Sequence, residues 1–215
     1  RVIDFALTAY AVVTATFQPE GDGALISMAT PSGLIDVRLA AGGVHNVRNA
    51  LAATACAIAT DIDVAAIAAG LNGWRPVAGR GVKLQVDGCE VIDDTYNANP
   101  DSVRAAIDLL AAAPAPRVLV LGDMGEVGVR GPEFHREVGG YARECGIDSL
   151  FAIGPLAGET VHAFGAGAAH FEEIDALITA LRSKLKGATV LIKGSRFMQM
   201  ERVVQALVAQ KMEVH

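Results

Sequence analysis

Cysteine, aromatic side chains and positive charge are all scarce in this sequence. Its 215 residues hold three cysteines, 5% aromatics and a formal net charge of -6, with a pI near 5.3. Cys56, Cys89 and Cys145 lie far apart, form no CxxC pair and cannot all pair with one another. A disulfide framework is therefore excluded, and the three read as small core hydrophobes in a reducing cytosol, with a catalytic thiol the lesser alternative. Few aromatics mean no base-stacking platform. The acidic balance argues against a nucleic-acid-binding surface, although it leaves room for a local basic pocket. No apolar run reaches the roughly 18–20 residues of a membrane span. The alanine-rich stretch from Ala50 to Ala59 is stopped by Asp61 and Asp63, and no signal-peptide pattern is visible. Also missing are the P-loop GxxxxGK[ST], GxGxxG, HExxH, GxSxG and any zinc-ligand spacing.

What the sequence has in quantity is apolar residues in regular order. They make up 52% of the chain, enough for one large domain or two modest ones. The chain begins with Arg1 rather than Met and opens on strand-like sequence, which reads as a piece cut or processed from a longer protein. Between Leu34 and Leu39, Ile35, Val37 and Leu39 share one face while Asp36 and Arg38 share the other, the alternation of a half-buried strand. Ala24 to Thr30 is its expected partner, turned by Pro31, Ser32 and Gly33. The period then lengthens. Val47, Leu51, Ala55 and Ile58 recur at helical steps from Val44, and Val64, Ile67, Ala68 and Leu71 do so in a second helix, with Asp63 as cap and Gly73 as terminator. Trp74 to Gly81, with one Pro, two Gly and two Arg, reads as the linker between a domain of residues 1–76 and another of residues 77–215.

The second region alternates strand and helix. A strand over 82–86 turns through Asp87 and Gly88, a strong hairpin signal, into a strand over 89–93. Further strands are expected over 117–121, 149–153 and 189–192. Helices are expected after Asn99, from Pro132 with Phe134, Val138, Tyr141 and Cys145 as its apolar stripe, around 156–164, through Ile174 to Leu181, and through Val203 to Val208. Repeated strand–helix units require right-handed crossovers and a mostly parallel sheet covered on both faces. The expected fold class is α/β, with a Rossmann-like, doubly wound sheet from about Val77 onward. Ligands of such sheets bind beyond the carboxyl ends of the strands. That rule singles out 93–97, 122–126 and 193–196, where polar residues gather.

The run from Asp93 to Asn99 is the most informative, with six polar side chains in seven positions. Asn99 as a helix cap explains one of them; the rest are explained by a ligand site built from Asp93, Asp94, Thr95, Tyr96 and Asn97, by a magnesium pair or a ribose-binding carboxylate, or by a plain polar turn. Arg80, between Gly79 and Gly81, is free to give a guanidinium to a phosphate, or is a solvated linker residue. Asn46 and Asn49 stand three apart in the first turn of a helix, where a base or phosphate could dock, or where Asn46 caps the helix and His45 packs. Lys193, Ser195 and Arg196 around Gly194 could hold a carboxylate or phosphate, or form a surface turn. Asp123 lies in a glycine-rich loop that carries little weight alone. His135, His162, His170 and His215 stand isolated and carry no chemistry by themselves.

Taken together, these pieces resemble one family. Gly43 to Ala53 looks like the helix-opening signature of the central domain of Mur-type ligases. Asp93 to Pro100, Gly122 to Glu126 and Lys193 to Arg196 look like the C-terminal domain of the branch of that family that adds D-alanyl-D-alanine. The Asp-Asn-Pro-Arg motif of the diaminopimelate-adding branch is absent, and folylpolyglutamate synthases are less similar over 93–99. The resemblance implies a cytoplasmic, monomeric, three-domain enzyme of peptidoglycan precursor synthesis, with no nucleic-acid partner and no membrane insertion. Residues 1–76 would end a P-loop-type central ATP-binding domain, and residues 77–215 would be the C-terminal Rossmann-like domain. ATP and Mg²⁺ would activate the carboxylate of UDP-N-acetylmuramoyl tripeptide as an acyl phosphate, which the amine of D-alanyl-D-alanine attacks. Carried onto this chain, His45, Asn46 and Asn49 would lie near adenine, Arg80 would reach the phosphates as a catalytic group, and Asp94 would hold the ribose. Tyr96, Asn97 and Asn99 would line the cleft with Ser195 and Arg196, and Asp123 and Lys193 would act at the reacting centre. The family's P-loop, magnesium ligands and carbamoylated lysine would precede Arg1, so the chain alone is expected to be inactive and to bind ATP negligibly. The competing reading is a non-catalytic Rossmann-like module that binds a nucleotide or peptide; an NAD-dependent oxidoreductase is disfavoured by the missing GxGxxG.

Overall fold

The computed structural model describes residues 2–8 and 10–209, so His215 lies outside the described residues. The chain forms two compact units, one up to Pro76 and the other from Val77. The first unit is a four-stranded sheet in the order β1 (Phe5–Ala6), β2 (Val13–Glu20), β3 (Gly23–Thr30) and β4 (Gly33–Leu39), with β1 and β2 parallel and the rest antiparallel. Ile35, Val37 and Leu39 are buried while Asp36 and Arg38 are not, as the alternation of β4 requires. Against this sheet lie α1 (Val44–Ala59) and α2 (Val64–Gly73), whose Val47, Leu51, Ala55, Ile58 and Ile67 complete the core. Asp63 caps α2 by accepting from the Ala65 N–H at 3.0 Å.

In the second unit β5 (Val82–Val86) and β6 (Cys89–Asp94) form a hairpin, followed by α3 (Pro100–Ala111), β7 (Arg117–Gly122), α4 (Gly131–Glu144) and β8 (Ser149–Ile153). The chain continues through α5 (Ala157–Phe164), β9 (Ala168–Phe171), α6 (Ile174–Arg182), β10 (Thr189–Lys193) and α7 (Glu201–Ala209). The strand order is β5-β6-β10-β7-β8-β9, parallel throughout except for the edge strand β5. The strands are continuous apolar runs because both faces are covered. Val118, Val120, Val190 and Ile192 pack with α6 and α7, while Leu119, Leu121 and Leu191 pack with α3, α4 and α5. The chain steps outward from β7 to β9 with its helices on one face, then returns by α6 on the other to insert β10 between β6 and β7. Strand order therefore reverses around β10, so the carboxyl ends of β6, β10 and β7 flank the switch point.

Three expectations need correction. β9 was not foreseen: Ala168 to Phe171 has neither alternation nor a β-branched residue, and it is a strand because β8 offers it a free edge. On α4, Val138 is in the core and Phe134, Tyr141 and Cys145 pack half-buried against it, but the inward face also holds His135, Gly139 and Ala142, which the apolar stripe left out. Of the cysteines only Cys89 is buried; Cys145 is half-buried and Cys56 is exposed on α1, so the three are free thiols in different surroundings rather than three core residues. No described helix is long and apolar enough to cross a membrane.

Candidate functional site at the strand carboxyl ends

The loops after β6, β10 and β7 are tied together by buried polar side chains. Lys193, at the end of β10, is 3% exposed, and its ammonium donates to Asp94 Oδ2 at 2.6 Å and to the Asn97 carbonyl at 2.8 Å. Ser195 Oγ donates to the Ala98 carbonyl at 3.0 Å and accepts from the Gly125 N–H at 2.5 Å, and the Ser195 N–H donates to the Asp123 carbonyl at 3.1 Å. One lysine and one serine thus join three loops far apart in sequence.

Asp93 does the same for the start of the unit. Its Oδ1 accepts from the Thr95 hydroxyl at 2.6 Å and the Thr95 N–H at 3.3 Å, and its Oδ2 accepts from the Gly79 N–H at 3.1 Å. The Tyr96 N–H then donates to the Gly79 carbonyl at 2.9 Å. Gly79 has φ +78°, and a Cβ there would lie 3.0 Å from Tyr96 N, so only glycine fits this strap. The strap sets Arg80 in place: its guanidinium lies 4.0 Å from the centroid of the exposed Tyr96 ring. A stacked, solvent-facing guanidinium is well placed to meet a phosphate.

Asp123 is turned into the fold. It is 4% exposed, its Oδ2 accepts from the Leu156 N–H at 3.0 Å, and Gly154 packs so closely that a Cβ would lie 2.4 Å from Asp123 Cγ. Asn99 caps α3 in a reciprocal pair with Ser102, accepting from its N–H at 2.8 Å and donating its own N–H to Ser102 Oγ at 3.0 Å. Asn97 is exposed, and its Oδ1 accepts from the Ala98 N–H at 2.9 Å. Arg196 is exposed and pairs with Glu201 at 2.8 Å.

The structure therefore brings Arg80, Asp94, Tyr96, Asn97, Asn99, Asp123, Lys193, Ser195 and Arg196 to one edge of the sheet, but in two roles. Lys193, Asp123 and Ser195 are engaged internally, whereas Arg80, Tyr96, Asn97 and Arg196 face outward. His45, Asn46 and Asn49 belong to the first unit. His45 and Asn46 stand in the first turn of α1 and Asn49 in the second, and the N-cap is Gly43 rather than Asn46; Asn46 Nδ2 donates to the Gly42 carbonyl at 2.7 Å, and His45 and Asn49 are exposed. His135, isolated in the sequence, is fully buried against this site: its Nε2 accepts from the Met124 N–H at 3.0 Å and its Nδ1 meets the Gly131 carbonyl at 2.7 Å. Its place on the inward face of an amphipathic helix, four residues before Gly139, was the only available signal. Among the described residues, no group of three or more His, Cys, Asp or Glu side chains is placed to hold a metal ion.

Fold and loop arrangement together define a class: an α/β domain whose polar loops gather at the switch point of a doubly wound sheet, where such folds place their ligands. The family described as Mur ligase, glutamate ligase domain, matches residues 79–196, and the chain belongs to it. It is 40% identical over 189 residues to the UDP-N-acetylmuramoyl-tripeptide--D-alanyl-D-alanine ligase of Escherichia coli K12, a match covering 86% of this chain and 42% of that protein. A crystal structure of MurF from Acinetobacter baumannii superposes with TM-score 0.86 at 31% identity, covering 96% of this chain and 46% of that one. MurF from Thermotoga maritima, solved in complex with ADP, shares the fold with TM-score 0.81 at 22% identity, covering 99% of this chain and 49% of that one. The chain spans less than half the length of these relatives.

Proposed function

We propose that the chain is part of an ATP-dependent ligase that joins D-alanyl-D-alanine to UDP-N-acetylmuramoyl tripeptide in peptidoglycan precursor synthesis. The observation that carries this is the assembly of the β6, β10 and β7 loops by Lys193 and Ser195, with Arg80 stacked on Tyr96 at their outer edge. The names of the relatives and the ADP bound by the Thermotoga protein point the same way. When bound, ATP supplies the phosphoryl group that turns the tripeptide carboxylate into an acyl phosphate, which the dipeptide amine attacks. In that scheme Arg80 meets phosphate oxygens, and Asp94 orients the nucleotide while held by Lys193. Asn97, Tyr96 and Arg196 contact the substrates, with Asn99 setting the start of α3 beneath them. Asp123, Lys193 and Ser195 act by holding the loops rather than by touching reactants. His45, Asn46 and Asn49 contribute the base contact. No described residue is assigned to Mg²⁺.

The test is phosphate release by the complete polypeptide with ATP, Mg²⁺ and UDP-N-acetylmuramoyl tripeptide, comparing D-alanyl-D-alanine with single amino acids. Release that depends on the dipeptide is expected. Release only with another amino acid overturns the substrate, and no release with any overturns the ligase reading in favour of a binding module. Arg80→Ala or Asp94→Ala should abolish turnover. The 215-residue sequence carries no P-loop. Three missing charge-assisted contacts of about 1.5–3 kcal/mol each weaken binding by about 10³–10⁶. Micromolar ATP binding by this chain in calorimetry would contradict that expectation.

A further inference from the structure

Two consecutive backbone N–H groups of the loop after β7 point inward, Met124 to His135 Nε2 at 3.0 Å and Gly125 to Ser195 Oγ at 2.5 Å. These two amides are therefore not free to form an anion-binding nest, which is what a glycine-rich loop suggests at first. The hydrogen bonds also fix the imidazole. The Gly131 carbonyl can only accept, so Nδ1 carries the ring proton. Nε2 then offers a lone pair, and the Met124 N–H takes it. No proton remains for Asp123 Oδ1, 3.6 Å from Nε2, so that approach is a contact between two acceptors and not an ion pair. Asp123 Oδ1 is buried and without a hydrogen-bond partner. Glu126, which follows Gly125, is exposed and holds φ +59°, a left-handed conformation that non-glycine residues adopt at a cost. The two tethered amides on its N-terminal side hold it there.

We propose that His135 is a positioning residue that, as a neutral imidazole protonated on Nδ1, fixes the 122–126 loop and so sets Glu126 at the mouth of the site. Its consequence for turnover rests on the ligase reading; its structural part does not. On that reading the loop is the wall against which the amino component, an ammonium-bearing dipeptide, is placed.

The structural test uses the 215-residue chain. Long-range ¹H–¹⁵N correlation should show the Nδ1–H tautomer, and the Met124 amide should exchange slowly. In His135→Leu its protection should fall by about tenfold relative to core amides such as that of Val190. His135→Gln, whose side-chain oxygen can take the place of Nε2 as acceptor, should restore most of it. In the complete polypeptide, His135→Leu should raise the dipeptide KM by about tenfold with the smaller change in kcat, and His135→Gln should recover it; a merely destabilised enzyme would lose kcat through a smaller active fraction and keep its KM. An Nε2–H tautomer or an imidazolium in the wild type overturns the proposal. So does Met124 protection that His135→Gln fails to keep. If His135→Leu does not fold, the wild-type tautomer and the Gln variant still decide. Absence of any wild-type ligation removes the ligase reading and leaves the tautomer and exchange results to judge His135.

Discussion

At the carboxyl ends of β6, β10 and β7 the polar residues fall into two sets. Asp93, Asp123, Lys193 and Ser195 are at most 8% exposed and each bonds a backbone group of another loop. Arg80, Tyr96, Asn97 and Arg196 are exposed and less constrained. In sequence the two sets are interleaved and equally polar. The difference teaches that motif density at a strand end records two tasks, holding the loops and meeting the ligand, and that burial separates them. A buried charged or polar side chain is costly unless it is paired or hydrogen-bonded, so the groups that hold these four lie inside the fold.

The comparison is broken most strongly at Lys193. Lys193→Met removes a buried cation together with the hydrogen bonds it donates to Asp94 Oδ2 and the Asn97 carbonyl. Removing one partner of a buried pair costs about 3–5 kcal/mol, and the 26% exposure of the Asp94 side chain puts this case near the lower figure. Urea unfolding should show a loss of about 3 kcal/mol. Arg80→Ala, by contrast, should change stability by about 0.5–1 kcal/mol, the contribution of an exposed cation–π contact. Equal losses in the two variants would erase the distinction between frame and rim.

Ser195→Ala is the next step down. It removes the acceptor of the Gly125 N–H and the donor to the Ala98 carbonyl without removing a charge. A loss of about 1–3 kcal/mol is expected. Faster amide exchange should appear on both sides of the clasp, at Gly125 and in the loop around Ala98, and exchange that stays confined to one side would mean that the serine does not join them.

Much of this architecture was legible because it is local. Alternation gave β3 and β4, the Asp87–Gly88 turn gave the first hairpin, and Asn99 with Pro100 marked the start of α3. The three polar strand ends were legible too, since runs such as Val118 to Leu121 point to a sheet buried on both faces. The division within the site was not legible, because it depends on β10 being inserted between β6 and β7. That long-range step is what turns Lys193 toward Asp94, 99 positions away, and places Ser195 beside Gly125. His135 was missed for the same reason: an isolated histidine on a helix gains its meaning only from the loop that α4 packs against.

The same sorting by burial applies to the thiols. Cys56 is exposed, Cys145 half-buried and Cys89 buried, and burial, followed by the nearby Asp87 and Glu90 carboxylates, raises the Cys89 thiol above its ordinary range. Both effects disfavour the reactive thiolate. Labelling with a thiol-specific reagent at neutral pH should therefore run in the order Cys56, Cys145, Cys89, the last only as fast as the unit opens. Rapid modification of Cys89 in folded protein would contradict its place in the sheet core.

The smallest effect is expected on the outer face of α4, where charges pair with no burial behind them. Arg136 Nε meets Glu159 Oε2 at 2.8 Å, joining α4 to α5, and Arg130 meets Glu133 at 2.8 Å within one turn. Hydrogen bonding to the arginines, then their charge, lowers the Glu133 carboxyl; the Arg136 hydrogen bond likewise lowers that of Glu159. A carboxylate depressed in the folded state stabilises the fold at neutral pH, and that contribution is lost as pH falls from the ordinary value of 4.5 through the depressed one. Glu159→Gln should therefore lower the urea midpoint slightly at pH 7, and the difference from wild type should vanish in acid. Both side chains are at least 40% exposed, so about 1 M salt should erase the difference as well. Lys193→Met gives the contrast, because salt does not screen a pair buried under the sheet edge to the same extent. If the Glu159 effect survived high salt as fully as the Lys193 effect, exposure would not be what separates the two kinds of polar contact in this chain.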